Sequence, residues 1–467
     1  MKVINLKNKD FKELELFLAA RQKETEDISI AVKNIIEDVK NNGDAAVIKY
    51  AEKFDNYKFG SSKNIKVTRE EIDRAYNEVN RFDSGLIDVI RKAAANIEEF
   101  HKRQAAGSFM YEREPGITLG TIRRPLTTAG IYVPAGSAPL PSSVLMNAIP
   151  AKVAGVKNII MATPPGSDRK KRKTDNSRSA GQSADGQREI RRFDSSGVGI
   201  DPIILVAADI AGVTEIYKIG GAQAIAAMAY GTETVPKADI VTGPGNIYVA
   251  AAKKMIFGQC NIDMTAGPSE ISIIADKSAK PSYIAADMLS QAEHDKLASS
   301  VLITYEESLI DEVGKEIEKQ IRSLPRQDIA QSSLENYGAM ILTSDINQAI
   351  GTANIIAPEH LELCTENAEN YINQIENAGA VFIGNYSPEP LGDYFAGPNH
   401  VLPTSGTARF FSPLNVWNFI KQINVISYNK EALLKNAEDI IKFAQAEDLQ
   451  GHAESIKVRL SSGTERT

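Results

Sequence analysis

The hydrophobic pattern of this chain changes character near Thr118. Before it, apolar residues fall at helical spacing: Ile30, Val32, Ile35, Ile36 and Val39 share a stripe, and Ala45, Ala46 and Ile48 resume it beyond Gly43. Asp10 to about His101 is therefore read as helical, with Arg69 to His101 in the same style. After Thr118, short β-rich runs alternate with Ala-rich helical ones. Strands are predicted at Ile131-Tyr132-Val133, Val156–Met161, Glu215–Ile219 and Asp239–Val241. Helices are predicted from near Ser142, over Pro202–Ala211, Ala222–Tyr230 and Asn246–Phe257. A second series has strands at Ile271–Ile274, Val301–Tyr305, Ala339–Thr343 and Ala380–Ile383, with helices over Tyr283–His294, Glu307–Ile321 and Ile346–Ile356. Alternation of this length predicts parallel, right-handed βαβ sheets and an α/β fold. Past Tyr386 the chain reads as loop to Phe411 and then as helix, the last from about Glu431 to Ile456.

One segment breaks the alternation. Ser167 to Gly199 carries the basic run Arg169-Lys170-Lys171-Arg172-Lys173 and then Ser, Gly, Asp and Gln with almost no apolar residues. It cannot bury a core and is read as a disordered surface insertion. A nucleic-acid or localisation patch is the alternative for its basic run.

Composition narrows the class. A mass of 50.8 kDa implies two or more domains. The net charge of −7 gives no reason to expect nucleic acid or an anionic membrane as partner. The two cysteines, Cys260 and Cys364, suffice neither for a disulfide framework nor for a Cys-based zinc site. Met1 to Leu14 lacks the apolar run of a secretory signal, and no stretch is long enough to span a membrane. A soluble cytoplasmic protein is expected.

Candidate chemistry gathers around the histidines, of which there are five. His294 lies in Gln291-Ala292-Glu293-His294-Asp295, His360 in Pro358-Glu359-His360-Leu361-Glu362, and His400 closes a Gly/Pro-bounded run that begins Gly392-Asp393-Tyr394. Imidazoles beside carboxylates are the usual N/O metal ligands and proton-transfer groups. Gln291 and His294 share a helix face and could grip one cation, Zn²⁺ or Mn²⁺, with a distant ligand such as Asp393. A solvated helix end is the plainer reading of an isolated Q-x-x-H. Pro358 disfavours the α conformation at Ala357, so Glu359 and His360 should sit on a turn or strand start. Adjacent strand residues face apart, so the two can serve one ligand only on irregular backbone. No G-x-G-x-x-G follows a strand, but Gly220-Gly221-Ala222-Gln223 and Gly243-Pro244-Gly245-Asn246 are strand-to-helix turns suited to an anion, or simply tight turns.

Taken together in this order, these motifs resemble the histidinol dehydrogenase family. The resemblance extends through Ile131-Tyr132-Val133-Pro134, Ala138-Pro139-Leu140-Pro141-Ser142, Asp263-Met264, Ala266-Gly267-Pro268-Ser269-Glu270, Gly397-Pro398-Asn399-His400-Val401-Leu402-Pro403-Thr404 and Glu447-Asp448-Leu449-Gln450-Gly451-His452-Ala453. It covers nearly the whole chain outside the insertion. It implies zinc-dependent oxidation of L-histidinol to L-histidine through L-histidinal with two NAD⁺, the last step of histidine biosynthesis. It also implies Zn²⁺ held by Gln291, His294, Asp393 and His452, the last supplied by the other subunit of a homodimer. His360 would be the base of the alcohol step, and Glu359 would activate water for the aldehyde step. Ser269, Gln291, His294, His360, Asp393, Glu447 and His452 would contact substrate, and Tyr132, Gln223 and Asn246 would contact NAD⁺. No membrane or nucleic-acid partner is implied.

The organisation expected is two related Rossmann-like parallel-sheet domains with small helical terminal segments. Residues 1–120 would be helical and pack on the second sheet domain. An NAD-side domain would span 121–265, with the insertion at 167–199, and a metal and catalytic domain 266–411. Residues 412–467 would form a helical tail exchanged in the dimer. Ala135 stands where the family usually has glycine, and a positive φ there would cost about 1 kcal/mol.

Overall fold

The computed structural model describes residues 1–8, 11–19, 26–135, 139–166, 199–265 and 267–461. The expectation for the insertion therefore lies outside the described residues, apart from Gly199. The chain forms two compact units, Met1–Gln104 with Leu126–Phe419, and Ala105–Pro125 with Ile420–Thr467.

The larger unit opens with β1 (Lys2–Asn5), α1 (Lys12–Ala19), α2 (Glu26–Tyr50), α3 (Arg69–Phe82) and α4 (Leu86–Lys102). In the smaller unit, β2 (Phe109–Glu114) and β3 (Ile117–Pro125) follow. The larger unit resumes with β4 (Thr128–Tyr132), α5 (Pro141–Ala154), β5 (Asn158–Thr163), α6 (Pro202–Ala211), β6 (Glu215–Lys218), α7 (Gly221–Tyr230), β7 (Ile240–Thr242), α8 (Ile247–Ile256) and β8 (Asn261–Ile262). Next come β9 (Glu270–Ala275), α9 (Pro281–Ala292), β10 (Ser299–Thr304), α10 (Glu307–Gln320), α11 (Gln327–Tyr337), β11 (Ala339–Leu342) and α12 (Ile346–Ile356). The unit closes with β12 (His360–Cys364), β13 (Ala380–Ile383) and α13 (Glu389–Tyr394). The smaller unit ends in β14 (Ile420–Tyr428), α14 (Lys430–Ala446) and α15 (Gln450–Ser461).

The larger unit contains two parallel sheets of one topology. The first runs β6-β5-β4-β7-β8 and the second β11-β10-β9-β12-β13, with β1 added beside β11. In each, the first strand is central, the second and third lie on one side and the fourth and fifth on the other, the order of a doubly wound fold. Strands β9 and β10 are buried at every residue, as expected where helices cover both faces of a parallel sheet.

The first 104 residues divide between the two parallel sheets instead of all packing on the second, and residues 109–120, expected to be helical, lie in strands β2 and β3 of the smaller unit. Strand β1 and the α1 residues Leu14 and Phe17 join the second sheet's core. The apolar stripe of α2 (Val32, Ile35, Ile36, Val39) instead packs with the first sheet and α7, and α3 and α4 also cover the first sheet. Helix α2 bends at Gly43 (φ 51°, ψ −131°), where Glu233 Oε2 accepts the Asp44 N–H at 2.8 Å.

The smaller unit is not purely helical. Its antiparallel sheet has the order β14-β3-β2, pairing Ile420 with Pro125 through to Tyr428 with Ile117. The β-branched Ile420, Ile423, Val425 and Ile426 favour this strand where helix was expected. Among the described residues, no helix is long and apolar enough to cross a membrane.

Candidate active site

The acid–base pair forms where α12 ends. Ala357 caps that helix in the left-handed conformation (φ 50°), Pro358 and Glu359 turn the chain, and His360 opens β12. Glu359 thus precedes the regular strand, which lets both side chains reach the same backbone unit of β9. Glu359 Oε2 accepts the Glu270 N–H at 2.9 Å, and His360 Nδ1 lies 3.0 Å from the Glu270 carbonyl oxygen. Glu359 Oε2 and His360 Nδ1 are 3.7 Å apart. A carbonyl can only accept, so Nδ1 carries the proton and Nε2 is the basic nitrogen. Burial lowers the His360 pKa to about 4 against the opposing pull of Asp393, so the ring is neutral near pH 7. Ser269 immediately precedes Glu270, and its carbonyl accepts the Ser299 N–H at 3.0 Å.

An N/O ligand cluster adjoins this pair. Gln291 lies in the last turn of α9, with its Oε1 buried and unpartnered, and His294 follows in the succeeding turn. Glu389 and Asp393 project from one face of α13. The ligand atoms of His294, Glu389 and Asp393 lie within 4.8 Å of one another. Asp393 Oδ1 is 3.2 Å from His400 Nδ1. Burial would raise the Asp393 pKa, but its charge interaction and hydrogen bond with His400 outweigh burial and lower it instead. Glu389, buried beside Asp393, is pushed up to about 9. An orphaned amide oxygen, an imidazole and two carboxyls suit a borderline divalent cation such as Zn²⁺.

Sequence reasoning gave Glu389 no role, because its segment reads as loop; its i, i+4 spacing from Asp393 was the available signal. His400 was visible as an imidazole and Asp393 as a candidate ligand, but their pairing was not. A cavity of about 300 Å³ opens beside the cluster, lined by His360, Phe382, Asp393, Asn399 and His400 among others. Glu447, which closes α14, and His452, on α15, are exposed on the smaller unit. The residues brought together are those of the larger unit alone.

The other candidate group lies at the carboxyl ends of the first sheet's strands, where β4 and β7 adjoin and the strand order reverses. Tyr132 ends β4, and its buried hydroxyl accepts the Gly221 N–H at 3.0 Å. Gln223, in the first turn of α7, has its Nε2 buried without a partner among the described residues. Asn246 caps α8, its Oδ1 accepting the Tyr248 and Val249 N–H groups at 3.1 Å. Gly243 (φ 114°) lies so close to the Tyr132 carbonyl that a Cβ would collide with it. The ion-paired Lys253 and Asp263 hold this glycine from beneath: Lys253 Nζ donates to its carbonyl and Asp263 Oδ2 accepts its N–H, each at 2.9 Å. Two helix N-termini, a glycine cradle and an orphaned amide donor fit a dinucleotide. Ala135 is absent from the described residues with positive φ, so the expected strain does not arise.

These features define a class: a two-sheet α/β enzyme with an anion-type crevice on one sheet and an acid–base pair beside an N/O ligand cluster on the other. The family is narrower. A histidinol dehydrogenase family model matches residues 18–176 and 194–460, its gap falling inside the insertion. Histidinol dehydrogenase of Carboxydothermus hydrogenoformans is 50% identical over 437 residues, 94% of this chain and 95% of that protein. Histidinol dehydrogenase of Bacillus subtilis is 50% identical over 435 residues, covering 93% and 94%. The crystal structure of histidinol dehydrogenase from Elizabethkingia anophelis superposes with a TM-score of 0.87 at 39% identity, covering 98% of each chain. The chain belongs to the histidinol dehydrogenase family and is an oxidoreductase.

Proposed function

We propose that the protein is a cytoplasmic, homodimeric enzyme that oxidises L-histidinol to L-histidine through L-histidinal, the last step of histidine biosynthesis. The first sheet would serve NAD⁺, through Tyr132, Gln223 and Asn246, and the second the metal and the chemistry. Gln291, His294 and Asp393, with His452 of the partner subunit, would hold Zn²⁺, and Ser269 and Glu447 would add substrate contacts. When bound, Zn²⁺ supplies a centre that retains the substrate's amine and imidazole, and two successive NAD⁺ accept the two hydrides.

The protein's own part is proton management and positioning. His360 Nε2 takes the hydroxyl proton as the first hydride leaves. Glu359 takes a proton from water as its oxygen attacks the aldehyde, giving a hydrate that loses the second hydride. The Glu270 backbone fixes both side chains, so neither must reorganise between steps. The His360 ring, held through Nδ1 by the Glu270 carbonyl and lining the cavity beside the ligand cluster, is the observation that carries this reading.

The test is the yield of NADH per L-histidinol, with and without a chelator. About two NADH per substrate, lost on chelation and restored by Zn²⁺, is expected. One NADH per substrate with released aldehyde overturns the four-electron reading.

A further inference from the structure

Asp55 ends the π-turn Ala51–Asp55 that follows α2. Its carboxyl sits at the carboxyl edge of the first sheet: a Cβ on Gly220 would come within 3.3 Å of Asp55 Oδ1 and 2.8 Å of Pro164. The Gly220–Gly221 turn is thus flanked by Asp55 and by Tyr132, whose hydroxyl accepts the Gly221 N–H. Asp55 Oδ2 is buried and has no hydrogen-bond partner among the described residues. Burial is the cause of the rise in this carboxyl's pKa to about 6. Asp55 itself is half-buried, and a carboxylate oxygen shielded from water without a partner costs stability, so packing does not explain this one. Gln223, two residues past the same turn, leaves its Nε2 donor buried and unpartnered as well. An orphaned acceptor and an orphaned donor beside one strand-to-helix turn are suited to a ligand rich in hydroxyl groups.

We propose that Asp55 is a cofactor-binding residue, its carboxylate accepting a hydrogen bond from a ribose hydroxyl of the dinucleotide seated at the Gly220–Gly221 turn. This rests on the reading that the first sheet serves NAD⁺. The approach is from the N-terminal helical segment, outside the strand-to-helix turns where cofactor contacts are usually sought.

The test is calorimetric titration of the full-length protein with NAD⁺, using wild type, Asp55→Ala, Asp55→Asn and Gln223→Ala, with thermal unfolding of each cofactor-free protein. Asp55→Ala should weaken NAD⁺ binding about 10- to 100-fold, the range of one charge-assisted hydrogen bond. Asp55→Asn, which keeps an acceptor oxygen, should lose less. The cofactor-free unfolding midpoint should hold or rise by about 1–3 °C, because an unpaired buried carboxyl is removed. A lowered midpoint with unchanged NAD⁺ affinity would mean a structural role and overturn the proposal. Unchanged binding in Asp55→Ala with weakened binding in Gln223→Ala overturns it alone. Unchanged binding in both variants overturns the cofactor-side reading with it.

Discussion

Replacing Asp263 by alanine tests whether the buried ion pair sets the shape of the first sheet's switch point. The Asp263 and Lys253 side chains are 0% and 2% exposed, so neither charge is relieved by water. The substitution leaves the Lys253 ammonium on the Gly243 carbonyl without its counter-charge and strips the Gly243 N–H of its acceptor. Breaking a buried pair from one side costs about 3–5 kcal/mol, of which an orphaned amide accounts for roughly 1–3. Unfolding entropy scales with length, so for 467 residues this becomes a fall of about 3–5 °C in thermal midpoint. The double variant Lys253→Met with Asp263→Leu should be more stable than Asp263→Ala, because an apolar pair removes the desolvation cost of both charges. Differential scanning calorimetry of wild type, Asp263→Ala, the two singles Lys253→Met and Asp263→Leu, and their double variant gives the comparison. A shift below about 1 °C for Asp263→Ala, or a double variant as unstable as the two singles summed, would refute the argument.

Three further outcomes follow from the geometry. Glu359→Gln should slow the second hydride transfer at least tenfold more than the first, read by single-turnover NADH formation from histidinol and from histidinal; equal slowing denies Glu359 its water-activating role. His294→Ala should lower zinc retention about 10- to 100-fold on dialysis against a competing chelator, measured by atomic absorption, and wild-type retention would remove His294 from the ligand set. Asp55 has a folded pKa of about 6, above the usual carboxylate value of 3.8, so the native state binds its proton more tightly than the unfolded chain does. That contribution to stability is full below about pH 4 and lost as pH rises through about 6. Urea midpoints should therefore show Asp55→Asn gaining on wild type between pH 4.5 and pH 7, and a constant difference would contradict the assigned shift.

Much of the fold was legible because parallel strands buried on both faces read as short apolar runs. The helices Pro202–Ala211 and Ile346–Ile356 and the strand Ala380–Ile383 have the bounds their patterns predict. The expected break at Gly43 is a kink with positive φ. Strand β14 was illegible because Ile420-Lys421-Gln422-Ile423 spaces its apolar residues as a helix does, and pairing with β3 decides the matter. The site divided along similar lines. The turn at Pro358 was a local steric inference and placed His360 at a strand start. Tertiary partners are invisible to local pattern, so neither the hold of Glu359 and His360 on Glu270 nor the approach of Asp55 to Gly220 was readable.

The two sheets share one strand order yet place their polar groups at opposite ends, and helix electrostatics accounts for the difference. On the first sheet, Gln223 and Asn246 sit at the N-termini of α7 and α8, where unpaired N–H groups carry partial positive charge. That end favours an anion such as a pyrophosphate. On the second sheet, Gln291, Glu359 and Asp393 sit at or just beyond the C-termini of α9, α12 and α13, where unpaired carbonyls carry partial negative charge. That end favours a cation, and it adds to the pull of the Asp393 carboxylate. Glu389, on the first turn of α13, is pushed up to about 9 by burial and by its neighbour Asp393, which outweigh the opposite pull of the helix N-terminus. One topology used from its two ends thus offers an anion-favouring edge on one sheet and a cation-favouring edge on the other, without either sheet departing from ordinary βαβ construction.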